Sequence, residues 1–140
     1  MVLVDSSIWI EAARRDGDVT CKVALEALLE VYEATWSSVV RFEVIGRANL
    51  REREPLEFFF ESVPYRQIGE PDWNRAVELS WKMKDAGHIV PMPDLLTAAL
   101  ALREGCRVYA KDKHFDAMHD VLGLLVYQPG YGGRYEPDGE

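Results

Sequence analysis

Val2-Leu3-Val4-Asp5-Ser6-Ser7 opens the chain with three apolar residues, a carboxylate and two hydroxyls. A short apolar run that ends in polar, turn-prone residues reads as a buried strand. Ser6 or Ser7 then caps a helix through Ile8, Trp9, Ala12 and Ala13, which Asp16-Gly17-Asp18 breaks. The arrangement returns near the other end, where Val108-Tyr109-Ala110-Lys111-Asp112 is again a strand-like run that finishes on an acid.

Between these two runs, helical and strand-like segments alternate. Val23, Leu25, Leu28, Leu29 and Tyr32 recur at helical spacing, and Ala34-Thr35-Trp36 reads as a strand leading into Ser37-Ser38. Those serines cap a third helix whose apolar stripe is Val39, Phe42, Gly46 and Leu50, with Glu43 at its border. Pro55 opens a fourth helix containing Leu56 and Phe58 to Phe60, and residues 65–68 read as a short strand. A fifth helix follows Pro71 and stops at Gly87, and Pro93 starts a sixth that is apolar enough to be buried, with Asp94 in its first turn. A strand at residues 107–110, a short helix near Phe115 to Met118 and an apolar run at 122–127 complete the pattern. Alternation of this kind predicts an α/β fold: a parallel sheet with helices on both faces, where ligands gather beyond the carboxyl ends of the strands.

A chain of 140 residues with 48% hydrophobic content supplies one core, assigned here to residues 1–127. Residues 128–140, rich in Gly, Pro and Tyr, carry no periodic pattern and read as a mobile arm. Sixteen Lys and Arg against 24 Asp and Glu give a net charge of -8, so a nucleic-acid partner has to be gripped locally. Cys21 and Cys106 stand far apart in no paired motif, which predicts reduced, buried thiols and a cytoplasmic protein. No basic-then-apolar leader and no membrane-length apolar run appears.

Asp5, Glu43, Asp94 and Asp112 each fall where a strand ends or a helix begins, the places from which a fold aims several carboxylates at one point. Crowded carboxylates repel one another unless a cation joins them, so the constellation reads as a divalent-metal site. Oxygen ligands without Cys or His suit Mg²⁺, for which Mn²⁺ substitutes. His114 and His119 flank Asp116, but a separation of five residues puts them on different sides of a helix, and a zinc pair is rejected. Arg14, Arg15, Arg41, Arg47, Lys111 and Lys113 are candidates for phosphate contacts. Phe58, Phe59 and Phe60 cannot all face one way on a helix, so part of that cluster is a candidate contact surface.

The chain resembles the PIN-domain ribonucleases, and among them the VapC-like toxins of toxin-antitoxin pairs. The resemblance spans nearly the full length. It is carried by Val4-Asp5-Ser6-Ser7 with Ile8-Trp9-Ile10, by Ser38-Val39-Val40-Arg41-Phe42-Glu43, by Ile89-Val90-Pro91-Met92-Pro93-Asp94 with the apolar residues after it, and by Lys111-Asp112-Lys113-His114-Phe115. It implies a three-layer fold with a short central sheet. The acids at Asp5, Glu43, Asp94 and Asp112 then hold Mg²⁺ or Mn²⁺, Ser7 supports the site, and an acid at Asp116 sometimes joins. It further implies endoribonuclease activity as a toxin, an antitoxin partner whose tail covers the acidic groove, and a homodimer. Ala110 departs from the family, which often has Thr or Ser there. Two other readings compete: a PIN-like RNA-binding or RNA-processing module with little or no toxin activity, and a phosphoryl-transfer domain. The latter lacks the second acid expected beside Asp5, where Ser7 stands.

Overall fold

Strands of two to four residues form the centre of the molecule in the computed structural model, which describes residues 1–138. They are β1 (Val2–Val4), β2 (Ala34–Ser37), β3 (Tyr65–Arg66) and β4 (Arg107–Tyr109), ordered β3-β2-β1-β4 and parallel at every pairing. Parallel neighbours need crossovers, which the helices supply. These are α1 (Ser6–Ala13), α2 (Val19–Glu30), α3 (Ser38–Val40), α4 (Leu50–Phe60), α5 (Glu70–Asp85), α6 (Met92–Glu104) and α7 (Lys113–Leu122).

Alternation along β1 sorts the core into two layers. Val2 and Val4 face α1 and α2, where Ile8, Leu25 and Leu28 join Trp36, Phe60 and Tyr127. Leu3 faces the other way, onto Leu79 and Met83 of α5, Leu96 and Leu100 of α6 and Met118 of α7. The sheet is therefore covered on both faces, the α/β arrangement that the alternation predicts. Every residue from Leu95 to Ala101 is buried, so α6 runs through the interior, and Asp94 sits at its entrance. Arg103 of α6 clamps buried Asp72 of α5 through two hydrogen bonds of 2.7 and 3.0 Å, fixing how these two helices lie together. Both cysteines are free and buried. Among the described residues no helix is long and apolar enough to cross a membrane.

Several local details differ from the sequence reading. Asp5, not Ser6 or Ser7, caps α1, its side chain accepting from the Ser7 N–H. The third helix is one turn of α3 followed by a wider π-turn at Arg41–Ile45 that ends at Gly46, so Phe42 points to solvent rather than along a buried stripe, and Leu50, exposed as well, already belongs to the next helix. The fourth helix starts at Leu50 behind Asn49, and Pro55 lies inside it. Pro55 is tolerated because that part of α4 is exposed, and water can serve the carbonyl its missing N–H leaves free. Phe60 is buried and stacks on Trp36 at 4.2 Å between ring centroids, whereas Phe58 is exposed.

The segment after Tyr127, which composition marks as a mobile arm, lies against the body of the protein as far as it is described. A 3-10 turn at Tyr131–Gly133 packs on α2, and Arg107 donates to the Glu136 carbonyl at 2.8 Å. Gly133 has φ +94, and a Cβ there would meet the Ala24 nitrogen at 2.9 Å, so only glycine allows this close approach. Residues 139 and 140 of the proposed arm lie outside the described residues.

Candidate metal centre

The ladder of β1 continues one residue past Val4: the Asp5 N–H donates to the Tyr109 carbonyl at 2.8 Å. This bond sets the exits of β1 and β4 side by side, with Asp5 at the mouth of the first and Asp112 three residues beyond the second. Ser7 ties the two exits together. Its hydroxyl donates to Asp5 Oδ2 at 2.6 Å and accepts from the Lys111 N–H at 3.0 Å. The hydroxyl missing at Ala110 is thus offset in part from the β1 side.

Glu43 is delivered by the π-turn. The Gly46 N–H reaches back five residues to the Arg41 carbonyl at 3.0 Å, and Glu43 Oε1 accepts from the Ser6 hydroxyl at 2.9 Å. Single π-turns inside helices are rare and gather at functional sites. Asp94 enters from the first turn of α6, where Thr97 steadies the turn by donating to the Pro93 carbonyl at 2.9 Å. Asp112 caps α7, accepting from the His114 N–H at 3.0 Å. Ser37 ends β2 level with Asp5 in the strand register and keeps a buried hydroxyl with no partner among the described residues.

Electrostatics record how close the acids come. Burial, and after it the charges of Asp5 and Asp112, push the Asp94 carboxyl up to about 6, against hydrogen bonding and charge from His114 that act downward. Burial also raises Asp5, with Glu43 adding repulsion, while hydrogen bonds from Ser7 and Ser6 act against the rise. Among the described residues none of the four acids pairs with a Lys or Arg. Asp94 and Asp112 come within ligand spacing of each other, and Asp5 and Glu43 adjoin them closely enough to be felt as charge, so the acids, none of which pairs with a Lys or Arg among the described residues, form a donor set that fits a hard divalent cation.

Asp116, on the exposed side of α7, joins none of these contacts. His119 Nδ1 meets the Leu124 carbonyl at 2.7 Å, away from the cluster. His114, which the sequence reading weighed only as half of a rejected zinc pair with His119, does meet the acids: its Nδ1 lies 2.9 Å from Asp94 Oδ2 and 2.8 Å from Asp112 Oδ1. The available signal was its place two residues after a capping acid, in the first turn of α7, where its backbone N–H bonds back to the cap.

A groove opens from Glu43 and Pro93, lined by Val39, Phe42, Arg47, Ile68, Trp73 and Met92. Arg47 of this lining and nearby Arg41 in the π-turn form no ion pair among the described residues, whereas Arg14 and Lys111 are engaged by Glu11.

Residues 2–121 match the PIN domain, and the chain belongs to that family. Within it the chain is similar to the ribonuclease VapC11 of Mycobacterium tuberculosis, 27% identical over 129 residues that cover 89% of this chain and 96% of the relative. A VapC ribonuclease of Mycobacterium bovis matches to the same extent. Among solved structures, FitAcB from Neisseria gonorrhoeae shares the fold at a TM-score of 0.73 and 19% identity, covering 91% of this chain and 97% of the other. VapBC2 from Rickettsia felis, solved bound to a DNA fragment from its promoter, gives 0.72 and 20%, covering 91% and 98%.

Proposed function

We propose that this chain is a metal-dependent endoribonuclease acting as the toxin of a toxin-antitoxin pair, with Asp5, Glu43, Asp94 and Asp112 holding Mg²⁺ or Mn²⁺. The observation that supports the proposal is the gathering of these acids, without Lys or Arg partners among the described residues, at the carboxyl edge of a PIN-domain sheet. Similarity to proteins named VapC ribonucleases favours this reading over an RNA-binding module without catalysis.

When bound, the divalent ion activates water and offsets charge on the scissile phosphate. The residues themselves do the rest. Ser7 and Ser6 orient Asp5 and Glu43 through hydrogen bonds of 2.6 and 2.9 Å, so neither carboxylate has to reorganise when charge arrives. Exposed Arg41, Arg47 and Lys113 are free to contact RNA phosphates, which a chain of net charge -8 cannot attract through a broad basic surface. The apolar groove beside Glu43 suits a segment of an antitoxin, and the exposed stripe Trp73, Val77 and Trp81 on α5 suits a second copy of the chain. The free, buried thiols agree with the cytoplasmic setting we assign.

Purified protein should cut single-stranded RNA with Mg²⁺ or Mn²⁺, stop on addition of EDTA, and lose at least about 100-fold activity in Asp5→Asn with its circular dichroism unchanged. Undiminished cleavage by that variant would remove the acids from the chemistry.

A further inference from the structure

We propose that the His114 imidazole is a ligand of this same centre, where Nδ1 joins the Asp94 and Asp112 carboxylates on one face of the coordination shell and turns its preference from Mg²⁺ toward Mn²⁺. The inference rests on the metal-dependent reading above and adds a nitrogen donor that the four-acid set does not contain.

Distance is the first argument. In an octahedral shell with bonds of about 2.1 Å, neighbouring ligand atoms lie about 3.0 Å apart. Nδ1 stands 2.9 Å from Asp94 Oδ2 and 2.8 Å from Asp112 Oδ1, and one donor atom from each of the three residues fits within a mutual 4.8 Å. A tetrahedral shell with bonds of about 2.0 Å needs neighbours about 3.3 Å apart, a poorer match.

Hydrogen bonding is the second. Nδ1 carries at most one proton, and one N–H cannot satisfy two carboxylate oxygens at full strength. The arrangement gathers one nitrogen and two oxygens around a space that a cation fills better than a single shared proton does. The ring has no competing engagement, since its other nitrogen makes no hydrogen bond among the described residues. It is also held in place from below: the His114 N–H donates to Asp112, and the next residue, Phe115, is buried in the core.

Ligand chemistry supplies the preference. Imidazole is a poor ligand for Mg²⁺ and a good one for first-row transition ions, so one nitrogen among carboxylates strengthens Mn²⁺ binding selectively.

Pulsed EPR of the Mn²⁺-loaded full chain, with calorimetric titration of Mn²⁺ and Mg²⁺, tests the assignment. Wild type should show ¹⁴N coupling from a directly bound imidazole, and His114→Ala and His114→Gln should both lose it. Mn²⁺ affinity should fall about 10-fold in both variants while Mg²⁺ affinity changes less than about 3-fold. Mn²⁺ binding by wild type without nitrogen coupling, or an equal fall for both ions, overturns the ligand role and leaves the metal-dependent reading intact. No Mn²⁺ binding by wild type at all overturns both. Because the spectrum of wild type decides alone, a variant that fails to fold does not protect the proposal.

Discussion

Repulsion within the cluster collects on Asp94, whose carboxyl is raised to about 6 by burial and by the charges of Asp5 and Asp112. A carboxyl that ionises at 3.8 in the unfolded chain and near 6 in the folded one favours folding while protonated. That contribution is lost as pH rises through the window from about 4 to 6. Metal-free Asp94→Asn should therefore be more stable than wild type at pH 7 by about 2 kcal/mol, with the gain shrinking toward pH 4. Melting curves in EDTA at several pH values read this directly; an Asn variant less stable at pH 7 would show that the crowding is relieved in some other way. The same variant should be inactive, so stability and activity move in opposite directions at one residue. Ser6 invites the complementary test. If its hydroxyl positions Glu43, Ser6→Ala should weaken Mn²⁺ binding about 10-fold and Ser6→Thr should restore it, whereas a purely structural serine would leave metal affinity unmoved. At this scale the sequence shows which side chains carry charge and where strands end, and that is how the four acids stand out. It does not show that Ser6 meets Glu43 or that His114 meets Asp94, because those partners lie 37 and 20 positions away and only tertiary packing joins them.

Elements explain where those partners come from. Strands, crossover helices and buried α6 follow from periodicity and punctuation, and the sequence reading recovers their succession along the chain and the parallel sense of the sheet, whereas the strand order β3-β2-β1-β4 comes from the structure. What escapes it is hydrogen-bond pitch. Val39, Phe42, Gly46 and Leu50 fit a helical stripe, yet the backbone widens into a π-turn at Arg41–Ile45 that swings Phe42 outward, and the helix breaks before Leu50, which opens α4. Pro55 misleads in the same way, since it is a strong start signal in general and here an exposed interior residue behind the Asn49 and Glu52 pair that begins α4. Gly46 is the residue on which the wide turn depends, because a Cβ there would stand 2.3 Å from the Phe42 carbonyl oxygen. Gly46→Ala should force that turn to change pitch and carry Glu43 off the Ser6 hydroxyl, at a cost of about 1–3 kcal/mol in stability. Loss of RNA cleavage beyond what the fall in melting temperature explains is the expected result; unchanged kcat and metal affinity would mean that the π-turn is incidental to Glu43.

For the whole molecule, charge and exposed apolar surface pull in different directions. Net charge of -8 keeps copies apart, and two bound dications would bring it to -4 while placing positive charge at the groove where phosphate has to enter. Trp73, Val77 and Trp81 recur every four residues along α5, and all three stay exposed at 43%, 49% and 63%. Three large apolar side chains on one face of a helix form a contiguous patch of the kind that marks an interaction surface. Trp73 also lines the groove that begins at Glu43, so a second copy seated on α5 would border the candidate metal centre and lengthen the channel available to an RNA strand. If a second copy sits on this stripe, Trp81→Glu places a charge in that contact at the most exposed of the three residues and should convert a species of twice the chain mass into one of single mass by light scattering, with the melting curve of the monomer retained. Cleavage should then fall through a higher KM for RNA, because the four acids remain in place while half the channel is gone. A variant that stays at double mass would move the interface away from α5 and leave the aromatic stripe free for the antitoxin.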